Sequence, residues 1–340
     1  MANEPRLILK DVRAYYRQLK GTTEYQVKAV DGVSLEVYKG DIVGLVGESG
    51  CGKSTLAKVM MMNIVPPLEY IGGEVELVSR DGRKFRITQF KSKDEVKSTI
   101  WGKHIAYVPQ DALNALMPTI KIKKIAYDVL RSHKKDVTMS RAVEIAKERL
   151  KELDLPDYVV DLYPFQLSGG MRQRAVLAMA TLLSPEVLVV DEPTSALDVT
   201  TQKIVLKSLL QLRKLGFVDS IIFITHDIST VRQIANRIAV MYAGKIVEVG
   251  DTDSIIWEPL HPYTDGLIKS VASIEPEGRE KGISYIPGQP PNLIDPPKGC
   301  RFHPRCPYAM DVCGEKEPAF VEVKPGRQVA CWLHQGRGGQ

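Results

Sequence analysis

Apolar and polar residues change rhythm several times along this chain. Leu7–Val12 and Val27–Val37 alternate at near-period-two spacing, as half-buried strands do, with Gly32 and Gly40 as turn signals. Asp41-Ile-Val-Gly-Leu-Val46 reads as a buried strand. It runs into a glycine-rich turn and an apolar helix predicted from Thr55 to about Asn63, which Pro66-Pro67 stops. From about Lys121 to Leu155 the rhythm is helical. Val143, Ala146, Leu150 and Leu153 fall at steps of 3, 4 and 3 residues with Lys and Glu opposite, and Pro156 ends the segment. A further helix is predicted from near Ser168 through Ala175 and Leu182 to Ser184-Pro185, and another over about 199–215. Val187–Val190 and Ile221–Ile224 are short runs rich in β-branched residues, which suits strands covered on both faces. Strands alternating with helices predict an α/β core with a mainly parallel sheet.

That rhythm stops near residue 255. Of the 21 prolines, 12 stand at or after Pro259. Neither helix nor central strand is expected across such a stretch, which reads instead as an extension wrapped on the core and pinned by cysteines. No internal repeat is visible.

At 340 residues, the chain has room for about two domains, or one large domain with an extension. With 44% hydrophobic and 26% charged residues it is neither mostly disordered nor collagen-like. Its longest apolar run, Ala175–Ala180, is extended after one Thr by Leu182-Leu183. A bilayer span needs about 20 predominantly apolar residues, so none is expected, and Met1–Arg6 shows no apolar signal core. The net charge of +5 fits a phosphate ligand or an anionic membrane surface, but it is too small to argue for nucleic acid.

Two motifs carry chemistry on their own residues. Gly47-Glu-Ser-Gly-Cys-Gly-Lys-Ser-Thr55 matches G-x-x-x-x-G-K-[ST] between a strand and a helix. Gly47, Gly50 and Gly52 let the backbone curl so that successive N–H groups, with those of Ser49 and Cys51, face phosphate oxygens. The helix beginning near Thr55 presents its positive end to the same anion. Lys53 adds a mobile cation for the β- and γ-phosphates, and Ser54 a hydroxyl for Mg²⁺. Cys51 reads as a small tolerated residue without a redox role. Leu188-Val-Val-Asp-Glu-Pro193 then puts two acids at the carboxyl end of a buried strand, where α/β sheets bind ligands. Asp191 suits Mg²⁺, and Glu192 is placed to polarise a water for attack on the γ-phosphate.

Leu167-Ser-Gly-Gly-Met-Arg-Gln-Arg174 precedes a helix and ends 17 residues before Asp191. With the phosphate loop, this order resembles the ABC (ATP-binding cassette) ATPases over residues 5 to about 255. Met171 replaces the usual Gln of the signature, while Ser168, Gly169 and Gly170 are intact. The resemblance implies an ABC-type P-loop nucleotide-binding domain over 1–255, a helical subdomain at about 111–175 whose arm (111–166) grips a membrane partner, and a Pro-rich C-terminal extension over 256–340. It makes Tyr16 the aromatic stacked on adenine, although the adjacent Tyr15 leaves a surface role open. It makes Gln110 the residue that touches Mg²⁺ or water, and His226 the switch that contacts the γ-phosphate. Ser195-Ala-Leu-Asp198 becomes the loop that crosses to the partner. Ser168, Gly169 and Gly170 would act in trans, on ATP held by a second cassette. A cassette protein working on ribosomes or DNA would carry two cassettes or long inserted arms; this chain has one of each motif. A subunit that only binds ATP would not need an intact Glu192 and His226.

Cys300, Cys306, Cys313 and Cys331 crowd the last 41 residues at spacings of 5, 6 and 17 intervening positions. Thiolates suit zinc or an iron–sulfur cluster, and metal-free or disulfide states are also open. Gly299-Cys-Arg-Phe-His-Pro-Arg-Cys-Pro307 and His261-Pro-Tyr-Thr264 resemble the ATPase subunits of dipeptide and oligopeptide importers. That resemblance implies a [4Fe-4S] cluster on the four cysteines, with zinc as alternative; His303 reads as a packed side chain rather than a spare ligand. It also implies a peripheral ATPase at the cytoplasmic face of the cell membrane. Its partners would be a homologous but different second ATPase subunit, two membrane permease subunits and an extracytoplasmic solute-binding protein, with no nucleic acid. Such a cassette does not touch cargo, so peptides, nickel chelates and oligosaccharides all stay open.

Overall fold

The β-branched runs become strands with no exposed position: Val187–Asp191 and Ser220–Thr225 are buried throughout. They pair parallel, Val187 opposite Ser220, and Ile105–Val108 pairs parallel on the other side, Ile105 opposite Val187. The computed structural model describes residues 4–111, 115–195, 197–270 and 286–335. The chain divides into two units, and these three strands, as far as Ile224, belong to the first, Met1–Ile8, Glu36–Ile42 and Val75–Ile224.

Also in the first unit, the helical stretch expected from Lys121 to Leu155 is two helices, Ile122–Arg131 and Met139–Lys151. Thr138 caps the second, its hydroxyl accepting from the Arg141 N–H at 3.2 Å, so the polar stretch before it turns rather than continuing the helix. Ala142, Ala146 and Leu150 are fully buried, close to the predicted stripe. The helix stops short of Pro156 because Asp154 takes a left-handed turn (φ 55). Gly169–Ala180 starts where expected, with Ser168 accepting from the Met171 N–H at 3.3 Å, but ends four residues before Ser184. There the Thr181 hydroxyl bonds back to the Leu177 carbonyl at 2.8 Å.

The second unit comprises Leu9–Leu35, Val43–Glu74 and Thr225–Gln340. Val43–Val46 pairs parallel with Arg237–Val240. Arg237–Tyr242 pairs antiparallel with Lys245–Asp251, and that strand with Arg327–Val329. Gly32, read as a turn signal, lies inside the strand Thr23–Tyr38 with φ 80. The helix after the phosphate loop runs Lys53–Met60; it starts earlier than predicted, directly after Gly52, and ends earlier because Met62 turns left-handed (φ 47).

The proline-rich extension corrects the expectation that it lacks helix. Pro262–Lys269 is a helix that tolerates its proline in the first turn, where no N–H is needed. Asp311–Glu315 is a shorter one. Val321–Lys324 and Arg327–Val329 form an antiparallel pair around Pro325. Residues 112–114, 196 and 271–285, which fall in the expected helical subdomain, crossing loop and extension, lie outside the described residues. No described helix is long and apolar enough to cross a membrane.

Candidate functional site

The phosphate loop is built by backbone that only glycine can supply. A Cβ on Gly47 would lie 2.1 Å from the Met241 carbonyl oxygen, and one on Gly52 would lie 2.0 Å from that of Ala29, with Gly52 at φ 112. Ser49 and Gly50 are exposed, whereas Cys51 and Lys53 are buried. The Lys53 ammonium folds back over the loop and donates to the carbonyls of Gly47 at 2.7 Å and Glu48 at 3.0 Å. Burial pushes the Cys51 thiol up from its ordinary range, against the pull of Lys53 beside it. Ser54 and Thr55 open the helix, and the Thr55 hydroxyl is 3.2 Å from that of Tyr16. Tyr15 turns instead to Asp31, its hydroxyl donating at 2.6 Å. Tyr16 is thus the one of the two that stands at the loop. His226, in the same unit, is exposed directly after the strand Ser220–Thr225. Asp227 beyond it caps the helix Ile228–Ile234 and accepts from the Ser229 N–H at 2.8 Å.

The carboxylates and the signature lie in the other unit. Asp191 ends its strand at 1% exposure and accepts from the Tyr107 hydroxyl at 3.1 Å. Glu192 takes a left-handed backbone (φ 47), uncommon for a side chain of this kind. Its N–H donates to the Ile224 carbonyl at 2.9 Å, which fixes the bend directly after the strand. The Gln110 amide donates to the Glu192 carboxylate at 3.4 Å. Gln110 and Glu192, chosen 82 positions apart, therefore meet. Ser168 and Gly169 are exposed at the start of their helix, with Gly170 half-buried beside the Thr201 methyl.

Cys300, Cys306, Cys313 and Cys331 are free thiols that line one small pocket with His261 and His303. Burial pushes the Cys300 and Cys331 thiols up to about 11, and Cys306 upward as well. The donor set has the chemistry of a thiolate metal site. Even so, no three His, Cys, Asp or Glu side chains among the described residues stand close enough together to hold a metal ion.

The sequence reading missed what surrounds Glu48. The Arg305 guanidinium grips its carboxylate with two bonds, at 2.8 and 2.9 Å, and the Glu48 N–H donates to the Tyr263 hydroxyl at 2.8 Å. Burial pushes the Tyr263 phenol upward, so it stays protonated. The spacing of 257 positions between Arg305 and Glu48 carries no local signal. An Arg beside the cysteines at 7% exposure needs a partner, but only the fold shows which.

The family described as ABC transporter matches residues 30–195, and that described as Oligopeptide/dipeptide transporter, C-terminal region, matches residues 247–313. The fold resembles the dimeric structure of MJ0796, a bacterial ABC transporter cassette, with a TM-score of 0.58 at 25% identity over 72% of this chain and 98% of that one. The chain belongs to the ATP-binding subunits of ABC transporters, with the ABC cassette fold, and is an ABC-type ATPase. Its full-length relatives narrow the class. It is 40% identical to the dipeptide transport ATP-binding protein DppD of Caldanaerobacter subterraneus, over 96% of each chain. It is also 40% identical to the oligopeptide transport ATP-binding protein OppD of Bacillus subtilis, over 96% of this chain and 88% of that one.

Proposed function

We propose that this chain is the ATP-hydrolysing subunit of a peptide importer, held peripherally at the cytoplasmic face of the cell membrane. The observation that carries the reading is the full-length likeness to dipeptide and oligopeptide transport ATP-binding proteins, including their C-terminal region. A second, homologous ATPase subunit, two membrane permease subunits and an extracytoplasmic solute-binding protein complete the machine. The cassette spans about residues 1–255 with its helical subdomain near 111–175, and the extension follows from 256.

ATP lies on the phosphate loop, with its adenine on Tyr16 and its phosphates among the N–H groups from Ser49 to Thr55. Lys53 leaves the loop carbonyls for the β- and γ-phosphates, and His226 meets the γ-phosphate. Ser54, Gln110 and Asp191 hold Mg²⁺, which when bound neutralises phosphate charge. Glu192 takes the proton of the attacking water, and its fixed left-handed backbone supports that role by limiting where the carboxylate can swing. Ser168, Gly169 and Gly170 close over the nucleotide of the second cassette, so ATP favours the paired state and hydrolysis releases it.

Cys300, Cys306, Cys313 and Cys331 hold a [4Fe-4S] cluster, with zinc as the alternative; their convergence on one pocket supports this reading. A cluster would need the four side chains as thiolates, so binding it would release the protons that burial favours on Cys300 and Cys331. Iron and sulfide analysis after anaerobic purification checks it; stoichiometric zinc without sulfide, or no metal, refutes the cluster. The import function is tested by uptake of labelled di- and oligopeptides in cells lacking this chain. Uptake is lost, the wild-type chain restores it, and Lys53→Met does not. Undiminished uptake without the chain refutes peptide import.

A further inference from the structure

The C-terminal extension reaches the phosphate loop directly. Arg305 lies next to Cys306 and is 7% exposed. Besides its two-pronged grip on Glu48, its Nε donates to the Pro287 carbonyl at 2.8 Å and its Nη1 to the Tyr242 hydroxyl at 3.3 Å. The guanidinium is therefore fixed by the Pro287 carbonyl of the extension and the Tyr242 hydroxyl of the cassette strand Arg237–Tyr242 as well as by the loop. Tyr263, at 0% exposure, packs against Tyr242 with ring centroids 4.5 Å apart. From that fixed position its hydroxyl accepts the Glu48 N–H. The Glu48 carbonyl in turn accepts from Lys53 at 3.0 Å. One loop residue is thus tied by its side chain and its N–H to the extension, and by its carbonyl to the phosphate-binding lysine.

We infer that Arg305 and Tyr263 are positioning residues for the phosphate loop, acting through Glu48, so that the extension sets the affinity of this chain for ATP. A planar guanidinium on a carboxylate fixes both direction and distance, which a lysine in its place would not. Without the fork, the Gly47–Glu48 segment gains freedom. Lys53 and the loop N–H groups then pay for ordering when phosphate arrives. The loss falls on nucleotide binding and not on the step in which Glu192 takes a proton.

The inference rests on the functional reading above, and the experiment separates the two. Mg²⁺-ATP affinity, KM and kcat are measured on the full-length wild type, Arg305→Met, Arg305→Lys, Glu48→Gln and the double variant Glu48→Gln/Arg305→Met. Arg305→Met is expected to weaken affinity and raise KM about tenfold with kcat nearly unchanged, as loss of a charge-assisted hydrogen bond would. Arg305→Lys recovers only part of the loss. In the Glu48→Gln background, Arg305→Met adds less than about twofold, because the charged, two-pronged acceptor is already gone. Unchanged affinity in Arg305→Met, or an equal effect in both backgrounds, overturns the inference. Should Arg305→Met fail to fold, Glu48→Gln decides: its side chain is a quarter exposed, and a folded variant with wild-type KM overturns the inference. A wild-type chain that binds no Mg²⁺-ATP refutes the functional reading and this inference with it.

Discussion

Glu248 offers the sharpest test of how the extension is held. Its carboxylate is fully buried and accepts three hydrogen bonds: from the Leu260 N–H at 2.8 Å, the His261 N–H at 3.0 Å and the Arg327 guanidinium at 2.7 Å. Glu248→Ala leaves a guanidinium that is itself 5% exposed with the Glu258 carbonyl at 2.7 Å but no counter-charge, and strands two backbone donors. Removing one partner of a buried ion pair costs about 3–5 kcal/mol, most of it the desolvation of the charge left behind. At about 2–4 °C per kcal/mol for a domain of this order of size, the melting temperature falls by about 6 to 20 °C. Scanning calorimetry of the full-length chain reads this directly. The double variant Glu248→Leu/Arg327→Met removes both charges and recovers part of the loss, but not the share owed to the Leu260 and His261 N–H groups. Were Glu248→Ala to melt within about 1 °C of wild type, or the double variant below it, the pair would not be the anchor described.

Glu192→Gln keeps the shape of the side chain but cannot take a proton. ATP binding is expected to persist while turnover falls by about 100-fold or more and paired subunits accumulate, as seen by gel filtration; wild-type hydrolysis refutes the assignment. Gly52→Ala drives a methyl against the Ala29 carbonyl in a left-handed backbone and is expected to abolish Mg²⁺-ATP binding in a filter assay; retained affinity contradicts the cradle. Burial, with His334 adding repulsion, lowers the His261 pKa to about 3, and the neutral ring accepts from the Tyr263 N–H at 3.0 Å. The unfolded ring protonates near pH 6.5, so between about pH 6.5 and 3 the unfolded state binds more protons and stability falls as pH falls, by at most about 1.4 kcal/mol per unit. Urea midpoints at pH 7 and 5 are expected to fall further for wild type than for His261→Asn; parallel losses speak against a neutral buried ring.

Local chemistry made the nucleotide-binding motifs legible. The phosphate loop must be glycine-rich and contiguous, and the carboxylate pair must follow a strand buried on both faces, so short windows were enough to find them. Helix ends were less legible because they turn on single side chains: Thr138 opens a helix inside an apparently continuous segment, and the Thr181 hydroxyl belongs to a premature end. Prolines misled in the extension. Pro262 permits a helix at its first turn, and Pro325 only interrupts a pair of short strands. The grip of Arg305 on Glu48 joins positions too far apart for any periodicity to reveal.

The strand Arg327–Val329 has a consequence for how this molecule avoids unwanted company. It lies along Lys245–Asp251, whose Ile246, Val247 and Val249 are all buried. Left bare, that row of backbone donors and acceptors beside apolar side chains would be a template for foreign strands. What the extension offers at the border instead is Val321–Lys324, four residues long and carrying Glu322 and Lys324. A short, charged margin of this kind is a poor seed for aggregation, so the extension guards colloidal behaviour as well as the loop it clasps.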